Sequence, residues 1–236
     1  MPAISAVIFD LDDTLFDHRG AADAAALAWA RGLGWSGAGA DADAALIARW
    51  ADAEQRYVDL WSRGELGFDE QRRRRVAETL AALDLPAAAN DARLDALFGD
   101  YLRRYEGFWR AFDDVQDALA AVAAAGIPFA ILTNGADHQQ RLKLEAVDLA
   151  HLIGRMHCCD VIGAAKPDPR AYRTVCDWLE VPYAEVLHIG DRYDYDVAGA
   201  RAAGLQAVHL DRTGLGPADE PSRIASLRGL SGLLGR

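Results

Sequence analysis

Lysine is almost missing from this chain: only two of its 25 basic residues, Lys143 and Lys166, are not arginine. Against that habit each lysine is worth inspecting, since lysine gives a compact point charge and arginine a planar fork. Long apolar runs are missing as well. No stretch of about 18 apolar residues occurs, so no membrane-spanning helix is expected, and the start lacks the charged-then-apolar pattern of a signal peptide. The expected location is the cytoplasm. Cysteine is sparse, with Cys158, Cys159 and Cys176 giving an odd count and no C-x-x-C. Adjacent cysteines on a strand point to opposite faces, which excludes an ordinary zinc site and leaves buried, reduced thiols. The six histidines show no ligand spacing such as H-x-x-x-H, and His188 and His209 read as satisfied core residues inside apolar runs. A net charge of −11 argues against a nucleic-acid or anionic-membrane partner.

Apolar residues are plentiful. They make up 51% of 236 residues, enough to bury a full core in one large domain or two small ones. Near the start, "VIFDLDDTLFDH" (7–18) ends an apolar run abruptly in Asp10, with Asp12, Asp13 and Asp17 close behind. Aspartate and threonine are ordinary turn and cap residues. Equally, Asp10 and Asp12 suit a cation-assisted catalytic pair. This stretch alone leaves both readings open.

After Asp17 the pattern turns helical, with helices expected over 21–32, 41–63, 68–83 and 91–105, separated by "GLGWSGAGAD", "RGELGFD" and "LDLPAAAND". Short connections suggest an antiparallel bundle, and the four arginines at 72–75 read as a mostly solvated face. From about Val115 the chain alternates: helix 114–125, strand "IPFAILTNG", helix 137–147, strand near "RMHCCD", and a helix from Pro169 to about Glu180 capped by Asp168. Strand "VLHIGD", helix 194–203 and strand "QAVHLD" follow. Such alternation predicts an α/β fold, a doubly wound parallel sheet with helices on both faces. The first strand, residues 4–10, belongs to that sheet, so the helical segment is an insertion.

Ligands of open parallel sheets bind at the carboxyl ends of strands. Gathered there are Asp10, Thr133, Asn134 and Asp191, with Lys166 in the loop after the cysteine strand and Asp196 at the start of the next helix. Clustered carboxylates need a cation to stay ionised together, and hard oxygen ligands favour Mg²⁺. Thr133 and Lys166 suit the oxygens of a phosphoryl group in transfer. Asp194 and Asp196 both favour a helix N-terminus, and the D-x-x-x-x-D spacing from Asp191 selects Asp196 as the functional one.

"DLDDT", "LTNG", "KPDP" and "GDRYDYDVAGARAAG", in this order at strand ends, resemble the four motifs of the haloacid dehalogenase superfamily of hydrolases. The match spans the whole chain and points to the phosphatase-like branch with a helical cap. The resemblance implies a core domain of residues 1–16 and 109–236 and a cap domain of residues 17–108. It implies Asp10 as nucleophile, forming an aspartyl-phosphate, and Asp12 as acid and then base. Thr133, Asn134 and Lys166 would bind phosphate. Asp10, Asp12 (through its carbonyl) and Asp191 would hold Mg²⁺, with Asp196 steadying Lys166 or a metal-bound water. Arg192 stands where many relatives have a small hydroxyl residue. Cap candidates for specificity are His18, Arg19, Arg56, Trp61 and the 72–75 arginines.

The expected function is hydrolysis of a small phosphorylated metabolite by a monomer or homodimer. A haloacid dehalogenase is the nearest rival, but a departing halide needs no proton and gives a second carboxylate at position 12 little to do. Phosphonate hydrolases of the superfamily use a cap lysine, and residues 17–108 hold none. A phosphomutase differs mainly in whether water reaches the intermediate. From another class, a non-catalytic phospho-aspartate signalling module would carry similar residues in a different order, in a shorter chain without a helical insertion.

Overall fold

The computed structural model describes residues 3–234. Strand β1 (Ala6–Phe9) is buried along its whole length, as its unbroken apolar sequence requires of a strand covered on both faces. Next come helices α1 (His18–Gly32), α2 (Ala40–Ser62), α3 (Phe68–Ala82) and α4 (Asp91–Glu106). The alternating part comprises α5 (Val115–Ala124), β2 (Phe129–Thr133), α6 (Asp137–Ala146), β3 (Met156–Cys158), the short α7 (Cys159–Ile162) and α8 (Pro169–Leu179). It continues with β4 (Val186–Gly190), a π-helical segment Tyr193–Gly199, α9 (Ala200–Ala203), β5 (Gln206–Leu210) and β6 (Arg223–Ile224).

Among the described residues the strands form one six-stranded sheet, ordered β3-β2-β1-β4-β5-β6, with every pairing parallel. β1 lies at the centre, with β2 and β4 on either side, so the chain leaves it in both directions. The carboxyl ends of β1 and β4 therefore meet at a topological switch point, the position where such sheets open a crevice for ligands. α8 begins as its sequence predicts, with Pro169 in its first turn and the Asp168 side chain accepting from Arg170 N at 2.9 Å.

The chain divides into two compact units, residues 18–109 and the remainder. In the first, α2 packs on α3, α1 on α4, and the remaining neighbours close a four-helix arrangement. Its core is aromatic: Trp50 lies 4.3 Å from Tyr101 and 5.4 Å from Trp29 between ring centroids, and Trp29 Nε1 donates to Leu97 O. Among the described residues no helix is long and apolar enough to cross a membrane.

Two expectations need correction, and one strand was not foreseen. The helix expected over 194–203 opens as the π-helical segment, because Asp196 is drawn under the end of β4 instead of projecting outward. β6 is too short and mixed to show a strand pattern, and only its pairing with β5 makes it one. Arg75 is not solvated: it is 4% exposed, donates to Glu54 Oε1 and lies 4.8 Å over Trp50. Arg72, Arg73 and Arg74 respectively lie over Phe68, pair with Asp95 and pair with Glu70. All three cysteines are buried free thiols, and burial pushes Cys159 and Cys176 up to about 12.

Candidate active site

Asp10 follows β1 directly, and its backbone N donates to Ile189 O of β4, which fixes it at the switch point. The loop beyond turns sharply: Leu15 N and Phe16 N both donate to Leu11 O, and Asp13 takes φ 62°, a left-handed conformation that aspartate tolerates. Lys166 Nζ lies 2.6 Å from Asp10 Oδ1 and 2.6 Å from Asp196 Oδ1, and all three side chains are buried. Asn134 aims the lysine. Its Nδ2 donates to Lys166 O at 2.8 Å and its Oδ1 accepts from Lys166 N at 2.7 Å. Asn134, which the resemblance implies for phosphate, thus has its side-chain amide engaged by the backbone of Lys166.

The second carboxylate, Asp12, is held by residues that the sequence did not single out for the site. Lys143 Nζ lies 2.6 Å from Asp12 Oδ1, and Gln140 Nε2 donates to Asp12 Oδ2 at 2.8 Å. Gln140 Nε2 also donates to Thr133 Oγ1 at 2.7 Å, and Gly135 N donates to the same hydroxyl at 3.1 Å. Both lysines of the chain therefore end on carboxylates of one loop. Composition was the available signal for Lys143: a lysine in an arginine-using chain. Gln140 had none.

Asp191 follows β4 directly and completes the acidic edge. Single carboxylate oxygens of Asp10, Asp191 and Asp196 lie within 4.8 Å of one another, a grouping that could hold a cation. Both oxygens of Asp196 are committed, Oδ1 to Lys166 and His188 Nε2 (3.0 Å), Oδ2 to Arg192 N (2.9 Å). Asp191 Oδ1, by contrast, is buried with no hydrogen-bond partner among the described residues. His188 and His209 are core residues, but each leans on this edge, His209 Nε2 bonding Asp191 O at 2.9 Å. Each leaves Nδ1 without a partner among the described residues, so they are half satisfied. Asp194 is exposed. Arg192 is exposed too, its guanidinium 4.6 Å over the Tyr195 ring.

Two buried carboxylates, Asp10 and Asp196, share one ammonium, with the half-buried Asp191 beside them, and this explains the titration pattern. Burial pushes Asp10 up to about 7, with Lys166 opposing and Asp196 and Asp12 adding to the rise. Burial and the charges of Asp10 and Asp196 hold Asp191 well above the usual carboxylate range. Burial would raise Asp196 also, but Lys166 and His188 hold it below that range. Lys166 is held above its ordinary value by Asp10 and Asp196, against the opposing effect of burial.

In the helical unit, the sequence-selected candidates fall into two groups. His18 Nε2 (3.2 Å), Arg19 Nη1 (3.5 Å) and Arg75 Nη2 (2.5 Å) converge on Glu54, and His18 Nδ1 bonds the Tyr105 hydroxyl at 2.7 Å. Burial opposes ionisation of Glu54, but Arg75 first, then His18 and Arg19, hold it well below its usual range. Arg56 pairs with Glu78 in solvent, and Trp61 packs against Phe68.

The family model of haloacid dehalogenase-like hydrolases matches residues 4–204. The phosphoserine phosphatase of Thermus thermophilus is 36% identical over 121 residues, 50% of this chain and 48% of the relative. The (S)-2-haloacid dehalogenase 1 of Pseudomonas sp. is 36% identical over 102 residues, 43% of this chain and 44% of the relative. The chain thus spans about half the length of these curated relatives. Among solved structures, the HAD-hydrolase YfnB of Bacillus subtilis, determined bound to magnesium, superposes with a TM-score of 0.81 over 100% of both chains at 21% identity, a likeness of fold.

Proposed function

Because the chain belongs to the haloacid dehalogenase-like hydrolases, we propose that it is a phosphatase, hydrolysing the phosphate monoester of a small metabolite through an aspartyl-phosphate on Asp10. The observation that carries this reading is the second carboxylate. Asp12 sits two residues from the nucleophile and is gripped at both oxygens, by Lys143 and Gln140. A halide leaves as a stable anion and needs no such group, whereas the alkoxide of a phosphate ester does.

In the first step an Asp10 carboxylate oxygen attacks phosphorus, the bond from phosphorus to the ester oxygen breaks, and Asp12, which must enter this step in its protonated form, delivers its proton to that oxygen. In the second, Asp12 takes a proton from water as the water oxygen attacks phosphorus. The Asp10–phosphorus bond breaks and inorganic phosphate leaves. Lys166, beside Asp10, supplies positive charge to the phosphoryl oxygens, and Asp196 holds its ammonium in place.

The orphaned Asp191 Oδ1 and the surplus of carboxylates over ammonium fit a divalent cation with oxygen ligands. Asp10, Asp191 and the Asp12 carbonyl would hold Mg²⁺, which when bound offsets the repulsion between Asp10 and a phosphate dianion.

A dehalogenase is the second reading, favoured by the Pseudomonas relative. A panel of phosphorylated metabolites and 2-haloacids separates the two. Phosphate release from at least one ester, without halide release, is the expected result. Halide release alone would overturn the phosphatase reading.

A further inference from the structure

Helix α6 turns one buried face toward the catalytic loop. Gln140 and Lys143, three residues apart and so on one side of the helix, are 1% and 3% exposed. A buried lysine needs a partner, and Lys143 has the Asp12 carboxylate at 2.6 Å, with its ammonium 5.0 Å from the centre of the Phe16 ring. Gln140 spans two residues of the site. A carboxylate only accepts, so the amide nitrogen must face Asp12, and its second hydrogen goes to Thr133 Oγ1. Gly135 makes room for this. A Cβ there would overlap the Gln140 amide.

The consequence for Thr133 is definite. A hydroxyl has two lone pairs and one proton. Gln140 Nε2 and Gly135 N occupy both lone pairs, so the proton is left to be given away. The hydroxyl is thereby set as a donor toward an incoming anion.

We propose that Gln140 and Lys143 are positioning residues: together they fix the Asp12 carboxylate, and Gln140 also sets the Thr133 hydroxyl as a donor. The effect on turnover rests on the phosphatase reading, but the effect on side-chain placement does not. Neither residue contacts the reacting atoms in this scheme. They act through Asp12 and Thr133.

The test uses Lys143→Met, which keeps the apolar stem, and Gln140→Leu, in the full chain. Crystal structures of both variants should show the Asp12 carboxylate displaced while the Asp10–Lys166 pair stays at its wild-type distance. For Lys143→Met, kcat/KM on a simple alkyl phosphate, whose leaving oxygen needs a proton, should fall about 30-fold, within what a placed proton donor contributes. On p-nitrophenyl phosphate, whose leaving group needs little help, the same constant should stay within about 3-fold. Adding Lys143→Met to Asp12→Asn should produce no further loss on the alkyl ester. An unmoved Asp12 in both crystal structures, or equal losses on the two esters, would overturn the proposal. A wild-type chain inert toward both esters would instead remove the phosphatase reading, and the two crystal structures would decide the positioning on their own.

Discussion

Gly190 lies so close beneath Asp196 that a Cβ at position 190 would overlap the Asp196 carboxyl group. The absence of a side chain at the end of β4 is what lets Asp196 fold back to Lys166 and His188. Gly190→Ala should therefore push Asp196 off the lysine. A displacement near 1 Å in a catalytic site lowers turnover about 100-fold, and overpacking of this kind destabilises by about 2 kcal/mol. Steady-state kinetics and a melting curve measure the two effects. A Gly190→Ala protein with wild-type kcat would show that Asp196 does not govern Lys166.

The two aspartates of the first loop should separate by role. Asp10→Asn should form no phosphoenzyme, since an amide is a far weaker nucleophile. Asp12→Asn should form it from p-nitrophenyl phosphate and then hydrolyse it about 100-fold more slowly, the proton acceptor for water being gone. Rapid quench with a labelled phosphate donor reads both outcomes. Labelling of Asp10→Asn at the wild-type level would contradict the assignment.

Chelation should abolish activity and added Mg²⁺ should restore it. A second readout is independent of turnover. With Asp191 Oδ1 lacking a partner among the described residues and Asp10 and Asp191 both raised by burial, a cation should raise the melting temperature. At 100 times its dissociation constant the gain is about 2.7 kcal/mol. An Asp191→Asn variant should lose most of that gain.

Glu54 sets a pH signature in the helical unit. Its folded-state pKa lies below the unfolded value, because Arg75, His18 and Arg19 favour the carboxylate more than burial disfavours it. A depressed acid contributes stability that is complete above its unfolded pKa and lost as pH falls toward the folded one. Glu54→Gln leaves Arg75 buried without its charge partner and should cost about 3 kcal/mol at pH 7. That gap should narrow steadily below about pH 4.5. Thermal melts of both proteins from pH 7 to pH 3 measure it, and a gap that widens on acidification would reverse the assignment.

What could be read in advance followed from local chemistry. Apolar runs ending in Asp10, Thr133 and Asp191 marked strand ends, and Asp168–Pro169 marked the start of α8, because a strand's burial and a helix's first turn are written in adjacent residues. Asp196 was separable from Asp194 by spacing, and the structure buries the first and exposes the second. The Lys143–Asp12 pair joins residues 131 positions apart, and Gln140 reaches Asp12 across 128. No local pattern encodes such a contact. Only composition hinted at Lys143, and nothing hinted at Gln140. Arg75 misled for the opposite reason: four consecutive arginines must face all sides of a helix, and one of those sides is the core.

The burial of both lysines has a consequence for the outside of the molecule. With Lys143 and Lys166 respectively 3% and 4% exposed, the folded surface presents arginine guanidinium groups but no accessible ε-amine. Acetylation, methylation and ubiquitination are reactions of that amine, and in the folded state they find no lysine side chain to act on. An amine-selective reagent that does consume a lysine of this protein is therefore recording something other than surface chemistry: the moments when the carboxylates of the first loop let their partners go.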